Sequence, residues 1–116
     1  MDRIIKRGNL FYAELKCGIG SEQHGYRPVL IISNDIGNRH SDTVIVAMIT
    51  SKTERKYVMP THCRIQAQQG LARISYIMLE QLQTIDKARL KVYIGMLNDK
   101  TMRKVNRALA ISVGLK

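Results

Sequence analysis

The apolar run TVIVAMI at residues 43–49 limits the possible folds of this chain more than any other segment. Its β-branched side chains favour an extended backbone, and the lack of alternation with polar residues indicates burial on both faces. The run stops at Thr50, Ser51 and Lys52, where hydroxyls and a charge return. The sequence therefore predicts a buried strand over residues 43–50. Thr50 is then either an ordinary β-branched strand residue or a hydroxyl placed where the core ends.

Several other segments carry the pattern of short strands with tight connections. Alternation or apolar runs predict strands at residues 10–15, 28–33, 61–65, 76–83 and 92–97. The turn-rich residues 34–39 allow a short helix, and residues 86–90 a single helical turn. Many short strands in so small a chain favour a small barrel or a strongly curved sheet.

The C-terminal segment changes to a helical period. Apolar residues recur with helical spacing at Met102, Val105, Leu109 and Val113. Asn98 or Asp99 can cap the start of this helix, and Gly114 stands where helices commonly end. An adjoining face carries Lys100, Arg103, Lys104 and Arg107. This basic stripe is either a solvated helix face or a surface for an acidic partner or RNA. The predicted class is mainly β with a C-terminal helix (α+β).

Length and charge narrow the functional classes. The 116 residues suit one domain, and 45% hydrophobic with 24% charged residues indicates a globular chain. The net charge of +10 favours a polyanionic partner, which is nucleic acid, an anionic membrane or an acidic protein. No apolar run approaches the roughly 20 residues needed to span a bilayer, and the N-terminus lacks a signal-peptide core. We therefore expect a cytoplasmic protein without a membrane partner.

The segment GSEQHGYRP at residues 20–28 enters the second predicted strand. Glycines at both ends predict a mobile polar loop, and Pro28 holds Arg27 at the mouth of the strand. The guanidinium presents a fork of donors suited to phosphate. If the strands at residues 28–33 and 43–50 pair antiparallel, Arg27 and Thr50 can meet. The alternative is a polar hairpin loop with a surface arginine.

The cysteines and histidines give no sign of a metal site. Cys17 and Cys63 form no CxxC motif, and His24, His40 and His62 lack zinc-site spacing. We expect no metal and no cofactor. Cys17 is interpreted as a loop thiol and Cys63 as a strand residue, both reduced in the cytosol, with a disulfide between them as the alternative.

Seven segments occur in an order and spacing that resemble one known family. They are RGNL at 7–10, GSEQ at 20–23, RPVL at 27–30, NDIGNR at 34–39, VAMIT at 46–50, PTH at 60–62 and LEQLQTIDK at 79–87. Together they resemble the MazF/PemK toxin endoribonucleases, especially the Gram-positive branch, over residues 3–113. The resemblance implies one toxin domain over residues 1–116, a small antiparallel SH3-like barrel and a homodimer. It also implies a MazE-like acidic antitoxin as partner, and it places the catalytic pair on Arg27 and Thr50.

The chemistry expected from these residues needs neither a metal nor a protein nucleophile. Paired carboxylates at metal-binding spacing and a serine–histidine motif are both missing from the sequence. In RNA the 2′-hydroxyl can attack the adjacent phosphorus, giving a 2′,3′-cyclic phosphate and a 5′-hydroxyl. Arg27 and Thr50 can donate to the charged phosphorane.

Proton transfer is harder to assign. Arginine is a poor general base, so Glu22 and His24 are candidates for proton transfer or for gating of the loop. A solvent-exposed loop histidine is the alternative for His24. Many members of the family that the chain resembles carry a carboxylate in the segment that here reads ARIS at residues 72–75.

Single-stranded RNA is the expected substrate, because splayed bases can be read along their edges. Glu80 and Gln81 interrupt an apolar strand with groups suited to base edges, and the alternative is the exposed face of an edge strand. The other candidate RNA-binding residues are Ser21, Gln23, Ser51, Met59 and His62. Lys52, Arg55 and Lys56 would attract the backbone. Aromatic residues are only 5% of the chain, so stacking platforms should be scarce.

Two other classes of protein are alternatives to the nuclease, one because it has the expected fold and the other because the charge allows it. CcdB-type toxins inhibit DNA gyrase by binding and cleave nothing, and a basic barrel could bind RNA without cutting it. Arg27, Thr50 and the GSEQ segment favour the nuclease over both.

Overall fold

The apolar and alternating segments form six antiparallel strands in the computed structural model, which describes residues 4–15, 25–51, 59–68 and 70–115. The strands are β1 (Asn9–Leu15), β2 (Gly25–Ile31), β3 (Thr43–Thr50), β4 (His62–Ile65), β5 (Ser75–Asp86) and β6 (Leu90–Met96). The helices are α1 (Asp35–His40) and α2 (Asp99–Ser112), with a 3₁₀ turn at Lys87–Arg89. Ser21, Glu22, Gln23 and His24 lie outside the described residues, as do Cys17, Lys52, Arg55 and Lys56.

The strands form one sheet in the order β4-β5-β3-β2-β1-β6. Every pair of neighbours in this order runs antiparallel. The sheet curls into a half-barrel, which confirms the predicted mainly β fold with a C-terminal helix. No helix within the described ranges is both long and apolar enough to cross a membrane.

Strand β3 is buried on both faces, as its composition predicted. Ala47 and Ile49 belong to a core cluster that includes Val105 and Ala108 of α2. Val46 and Met48 belong to a second cluster on the opposite face. Burying one such aliphatic side chain contributes about 1.5–3 kcal/mol. Ile45 departs from this pattern and is 41% exposed.

Strand β5 is longer than the predicted strand at residues 76–83, because residues 84–86 also pair with β3 and Ser75 pairs with β4. A bulge interrupts its ladder with β3. Ala47 of β3 lies opposite Leu82, whereas the next residue, Met48, lies opposite Met78. Residues 79–81 of β5 are therefore extra in this ladder. Bulges of this kind bend a strand and redirect its side chains. This one contains Glu80 and Gln81, both proposed from the sequence to meet RNA.

Capping residues set the ends of both helices. Asn98 caps α2, accepting a hydrogen bond from the Thr101 amide at 2.8 Å. Beyond the helix, Gly114 adopts φ +77°, a left-handed conformation that glycine tolerates best. Asn34 caps α1 in the same way, accepting from the Gly37 amide at 2.7 Å. The predicted start and stop of the C-terminal helix and the short helix after β2 are confirmed.

The predicted cysteine strand residue is also confirmed. Cys63 lies buried in β4 as a free thiol. Burial raises the pKa of this thiol, and the charge of Lys104 offsets part of that effect.

Candidate active site

Arg27 and Thr50 are brought together by the register of β2 and β3. Val29 lies opposite Met48 and Ile31 opposite Val46, so the strands pair antiparallel, which is the condition under which the sequence allowed Arg27 and Thr50 to meet. The same register, continued to the start of β2, places Arg27 opposite Thr50. Both residues line one cleft of about 270 Å³.

Apart from its apolar residues, the described lining of this cleft carries positive charge and hydroxyl groups. A second guanidinium comes from Arg73, and hydroxyls come from Tyr12, Thr50, Ser51 and Ser75. No carboxylate belongs to this lining as far as the chain is described. Arg73 stands in the segment at residues 72–75, where many members of the family that the chain resembles carry a carboxylate, and its contribution to the cleft was not predicted from the sequence. Such a lining suits a phosphodiester.

The strand ends hold the cleft hydroxyls in place. Thr50 is the last residue of β3 and is only 7% exposed, so its β-branched side chain also packs. Ser75, at the start of β5, is 2% exposed and donates its hydroxyl to the carbonyl of Arg73 at 3.0 Å. Arg27 is exposed, which leaves its side chain accessible from solution.

A second polar cluster lies one strand further along the sheet. The Thr61 hydroxyl donates to Glu80 Oε1 at 2.9 Å, and His62 Nε2 lies 2.8 Å from Glu80 Oε2. The His62 side chain is 1% exposed and that of Glu80 is 29% exposed. In this structure His62 can therefore reach RNA only through Glu80.

The strand pairings place this cluster on the same face of the sheet as Arg27 and Thr50. His62 lies opposite Met78, and Met78 lies opposite Met48. Residues directly opposite each other share a face, and so do residues two apart along a strand. Met48 and Thr50 are two apart, so His62 and Thr50 are on one face.

Hydrogen bonding keeps Glu80 ionised. Burial by itself would raise the pKa of this carboxyl, but hydrogen bonds from His62, its own backbone amide and Thr61 outweigh it. The pKa is held below its ordinary value. At neutral pH the group is an acceptor, suited to the amino group of a base edge and unsuited to proton donation.

The remaining predicted RNA-binding residues are distributed around these two features. Ser51 is exposed beside Thr50, and Met59 is half-buried just before β4, where its carbonyl accepts from the His62 amide at 2.9 Å. Gln81 is half-buried in the β5 bulge. Among the described residues, Gln81 Oε1 and His62 Nδ1 are buried without a hydrogen-bond partner.

Comparison with known proteins agrees with this geometry. The family model of the PemK-like, MazF-like toxins of type II toxin–antitoxin systems matches residues 6–113. Endoribonuclease EndoA of Bacillus subtilis (strain 168) is 52% identical over 113 residues, 97% of each chain. Endoribonuclease MazF of Staphylococcus saprophyticus is 47% identical over 113 residues, 97% of this chain and 93% of its own.

A solved structure of similar fold agrees with these sequence relatives. It is described as an endoribonuclease in complex with its cognate antitoxin from Mycobacterial species. It superposes with a TM-score of 0.79 at 28% identity and covers 97% of both chains. By sequence and by fold, the chain belongs to the PemK-like, MazF-like toxins of type II toxin–antitoxin systems.

Proposed function

We propose that this toxin is a sequence-specific, metal-independent endoribonuclease, a single domain over residues 1–116, that cuts single-stranded RNA. The observation that carries the proposal is the shared cleft of Arg27, Thr50 and Arg73, without a carboxylate in its described lining. Relatives that are 52% and 47% identical over 113 residues are named endoribonucleases, which supports the same activity here.

Cleavage proceeds by attack of the RNA's own 2′-oxygen on the adjacent phosphorus. The new P–O2′ bond forms as the P–O5′ bond breaks, which leaves a 2′,3′-cyclic phosphate and a 5′-hydroxyl. The 2′-hydroxyl gives up a proton, and the departing 5′-oxygen gains one. Between these events the phosphorane carries extra negative charge on its non-bridging oxygens.

The cleft supplies donors for that charge. Arg27 can place two parallel N–H groups on the non-bridging oxygens, and Thr50 can add its hydroxyl from the end of β3. A single well-placed donor of this kind is typically worth about 10²–10³ in rate. Arg73 adds a second positive charge, which draws the phosphate into the cleft.

Proton carriers come from outside the described lining of the cleft. That lining contains no histidine and no acid, and the Tyr12 hydroxyl donates to the Gly70 carbonyl at 3.0 Å. Glu22 and His24 are our candidates for proton transfer or loop gating, and both lie outside the described residues.

RNA would lie across the face of the sheet that carries both polar features. Glu80, held by Thr61 and His62, accepts from a base amino group, and Gln81, Ser51 and Met59 line the same path. Ser21 and Gln23 would approach from the loop before β2. This path runs from the phosphate donors to the base-reading residues, as a sequence-specific nuclease requires.

The partners follow from the family and the charge. An antitoxin rich in acidic residues suits the net charge of +10 and the exposed basic stripe of Lys100, Arg103, Lys104 and Arg107. The toxin acts as a homodimer in the cytoplasm. Antitoxin binding should weaken as salt rises and should compete with RNA.

The test is incubation of the purified protein with a long structured RNA and with DNA in EDTA, and separately with gyrase in buffer that contains magnesium. We expect cuts at one sequence motif, with 5′-hydroxyl ends. A substrate with 2′-deoxyribose at the scissile position should resist. Activity restored only by added magnesium, or equal cutting of DNA, would overturn the mechanism. Inhibition of gyrase without RNA cleavage would favour the CcdB-type alternative.

A further inference from the structure

Two of the few aromatic side chains form a parallel stack beside the cleft. The rings of Tyr12 and Tyr26 lie 5.2 Å apart between centroids, with an interplanar angle of 1°. Tyr26 is 53% exposed, so much of its ring is in contact with solvent. Sequence composition had predicted that stacking platforms would be scarce. The structure instead places an exposed one next to the candidate catalytic arginine.

The inner ring of this stack is held in a fixed orientation. The Tyr12 hydroxyl donates to the Gly70 carbonyl at 3.0 Å. Gly70 has φ +89°, and a Cβ there would lie 2.7 Å from Ile94 Cγ2, so both conformation and space require glycine. The residue that accepts from Tyr12 must therefore be glycine, and its hydrogen bond orients the ring on which Tyr26 stacks.

The stack adjoins the phosphate donors. Tyr12 lines the same cleft as Arg27 and Thr50, and Tyr26 immediately precedes Arg27 in β2. Successive side chains of a strand point to opposite faces. An RNA strand that passes over the start of β2, from the face that carries Arg27 and Thr50 to the opposite face, can therefore place a phosphate at Arg27 and a splayed base at Tyr26.

We propose that Tyr26, supported by Tyr12, is a stacking platform for a nucleobase next to the scissile phosphate. The inference rests on the proposed function and names a base-binding position of the same site. An aromatic face accepts any base, so this position adds affinity with little sequence preference. Base edges would then be read elsewhere, by groups such as Glu80.

A purely structural role is the competing explanation. Glu14 lies opposite Tyr26 and Pro28 lies opposite Tyr12, so the two tyrosines are diagonal neighbours in the β1–β2 ladder. Such pairs stabilise a sheet whether or not RNA binds. The experiment must therefore separate RNA affinity from stability.

The chain offers a matched control. Tyr93 of β6 is 51% exposed and packs against one aromatic ring, Phe11, at 5.4 Å between centroids. We would compare Tyr26→Leu, Tyr26→Phe and Tyr93→Leu by melting temperature, oligomeric state and affinity for an RNA blocked by 2′-deoxyribose at the scissile position. The same RNA would be tested with an abasic residue at each position near the cut.

Tyr26→Leu should weaken RNA binding roughly 5- to 150-fold, the range that corresponds to one base–aromatic stack. Tyr26→Phe and Tyr93→Leu should bind within about twofold of the parent, since both keep the Tyr26 platform. At one position, an abasic residue should weaken RNA binding by the parent by about the same factor. The same abasic RNA should bind Tyr26→Leu no more weakly than the intact RNA does, as expected for two groups that contact each other directly. The single-turnover rate at saturating protein should change little, because stacking is made in the ground state.

Two results would overturn the platform. One is parental RNA affinity in Tyr26→Leu, and the other is an abasic profile identical in both proteins. A loss of affinity that appears only with partial unfolding assigns the tyrosines to the ladder alone. If the folded parent cuts no RNA at all, the proposed function itself fails, which distinguishes the two failures.

Discussion

The cleft of Arg27, Thr50 and Arg73 and the cluster of Thr61, His62 and Glu80 lie on one sheet but are built in opposite ways. In the cleft, cationic and hydroxyl-bearing side chains line a space of about 270 Å³. In the cluster, a buried imidazole and a hydroxyl are joined to one carboxylate at 2.8 and 2.9 Å. The first lines a space with positive charge and hydroxyl groups, whereas the second pairs its one carboxylate with a neighbouring imidazole and hydroxyl.

This difference separates two tasks in one nuclease. A group that stabilises a transition state must keep donors available for charge that develops during the reaction. A group that reads a base must hold one protonation state and one direction. The cleft contributes cationic and hydroxyl groups to the first task, and the cluster contributes one oriented carboxylate to the second.

The largest expected effect comes from removing one donor of the cleft. Arg27→Lys keeps the charge but loses the bidentate fork, and Thr50→Val keeps the β-branched shape but loses the hydroxyl. Each should slow single-turnover cleavage at least about 10²-fold while RNA binding stays within a few-fold of the parent.

A melting temperature for each variant is the control, since Thr50 is buried. Near-parental cleavage by either variant contradicts the assignment of its side chain. A rate that falls only together with the melting temperature makes the residue a packing residue.

A smaller effect is expected in the cluster. His62→Leu removes the donor to Glu80, and hydrogen bonds to charged groups contribute about 1.5–3 kcal/mol. The free energy of unfolding should fall by roughly that amount, and cleavage should lose discrimination at one base. His62→Gln can still donate to Glu80 and should recover part of both losses. Unchanged base preference in a folded His62→Leu protein would remove the cluster from RNA recognition.

A still smaller effect tests the charge of the cleft. Arg73→Gln should weaken RNA binding several-fold and reduce the slope of log affinity against log salt by about 0.7, the value for one contact on a single strand. Arg39→Gln is the control, because Arg39 is exposed on α1, away from the lining of this cleft. Equal salt slopes in both variants would exclude a phosphate contact by Arg73.

The sequence predicted the parts of this site that lie on regular strands. Composition predicted that β3 is buried on both faces of the sheet. An antiparallel pairing of β2 with β3 then places Arg27 near Thr50. The first inference used the unbroken apolar composition of the strand, and the second required only that two neighbouring strands pair antiparallel. The short helix after β2 and the caps of α2 were also readable, because capping depends on local side chains.

The missed features depend on contacts that are distant in sequence. The β5 bulge is a mismatch between two strands, and no pattern within residues 76–83 reveals it. The burial of His62 against Glu80 requires the β4–β5 register. The sequence shows that residues 72–75 lack a carboxylate, but it does not show that Arg73 lies in the cleft, because this segment has no regular period. The Tyr12–Tyr26 stack likewise arises from a diagonal contact across two strands.

The smallest expected effect is the pH dependence of stability that Glu80 contributes. Its pKa is lowered in the folded state from an ordinary value of 4.5, so the folded protein binds this proton less readily than the unfolded chain. The resulting stability is fully present above pH 4.5 and is lost as the pH falls through the lowered folded value. Because the side chain is 29% exposed, solvent screening keeps the contribution small. Chemical unfolding of the parent and of Glu80→Gln, measured at pH 7 and at steps below pH 4.5, should show a difference that shrinks with acid. A difference that stays constant through this range would mean that the hydrogen bonds of Thr61 and His62 do not depend on the charge of Glu80.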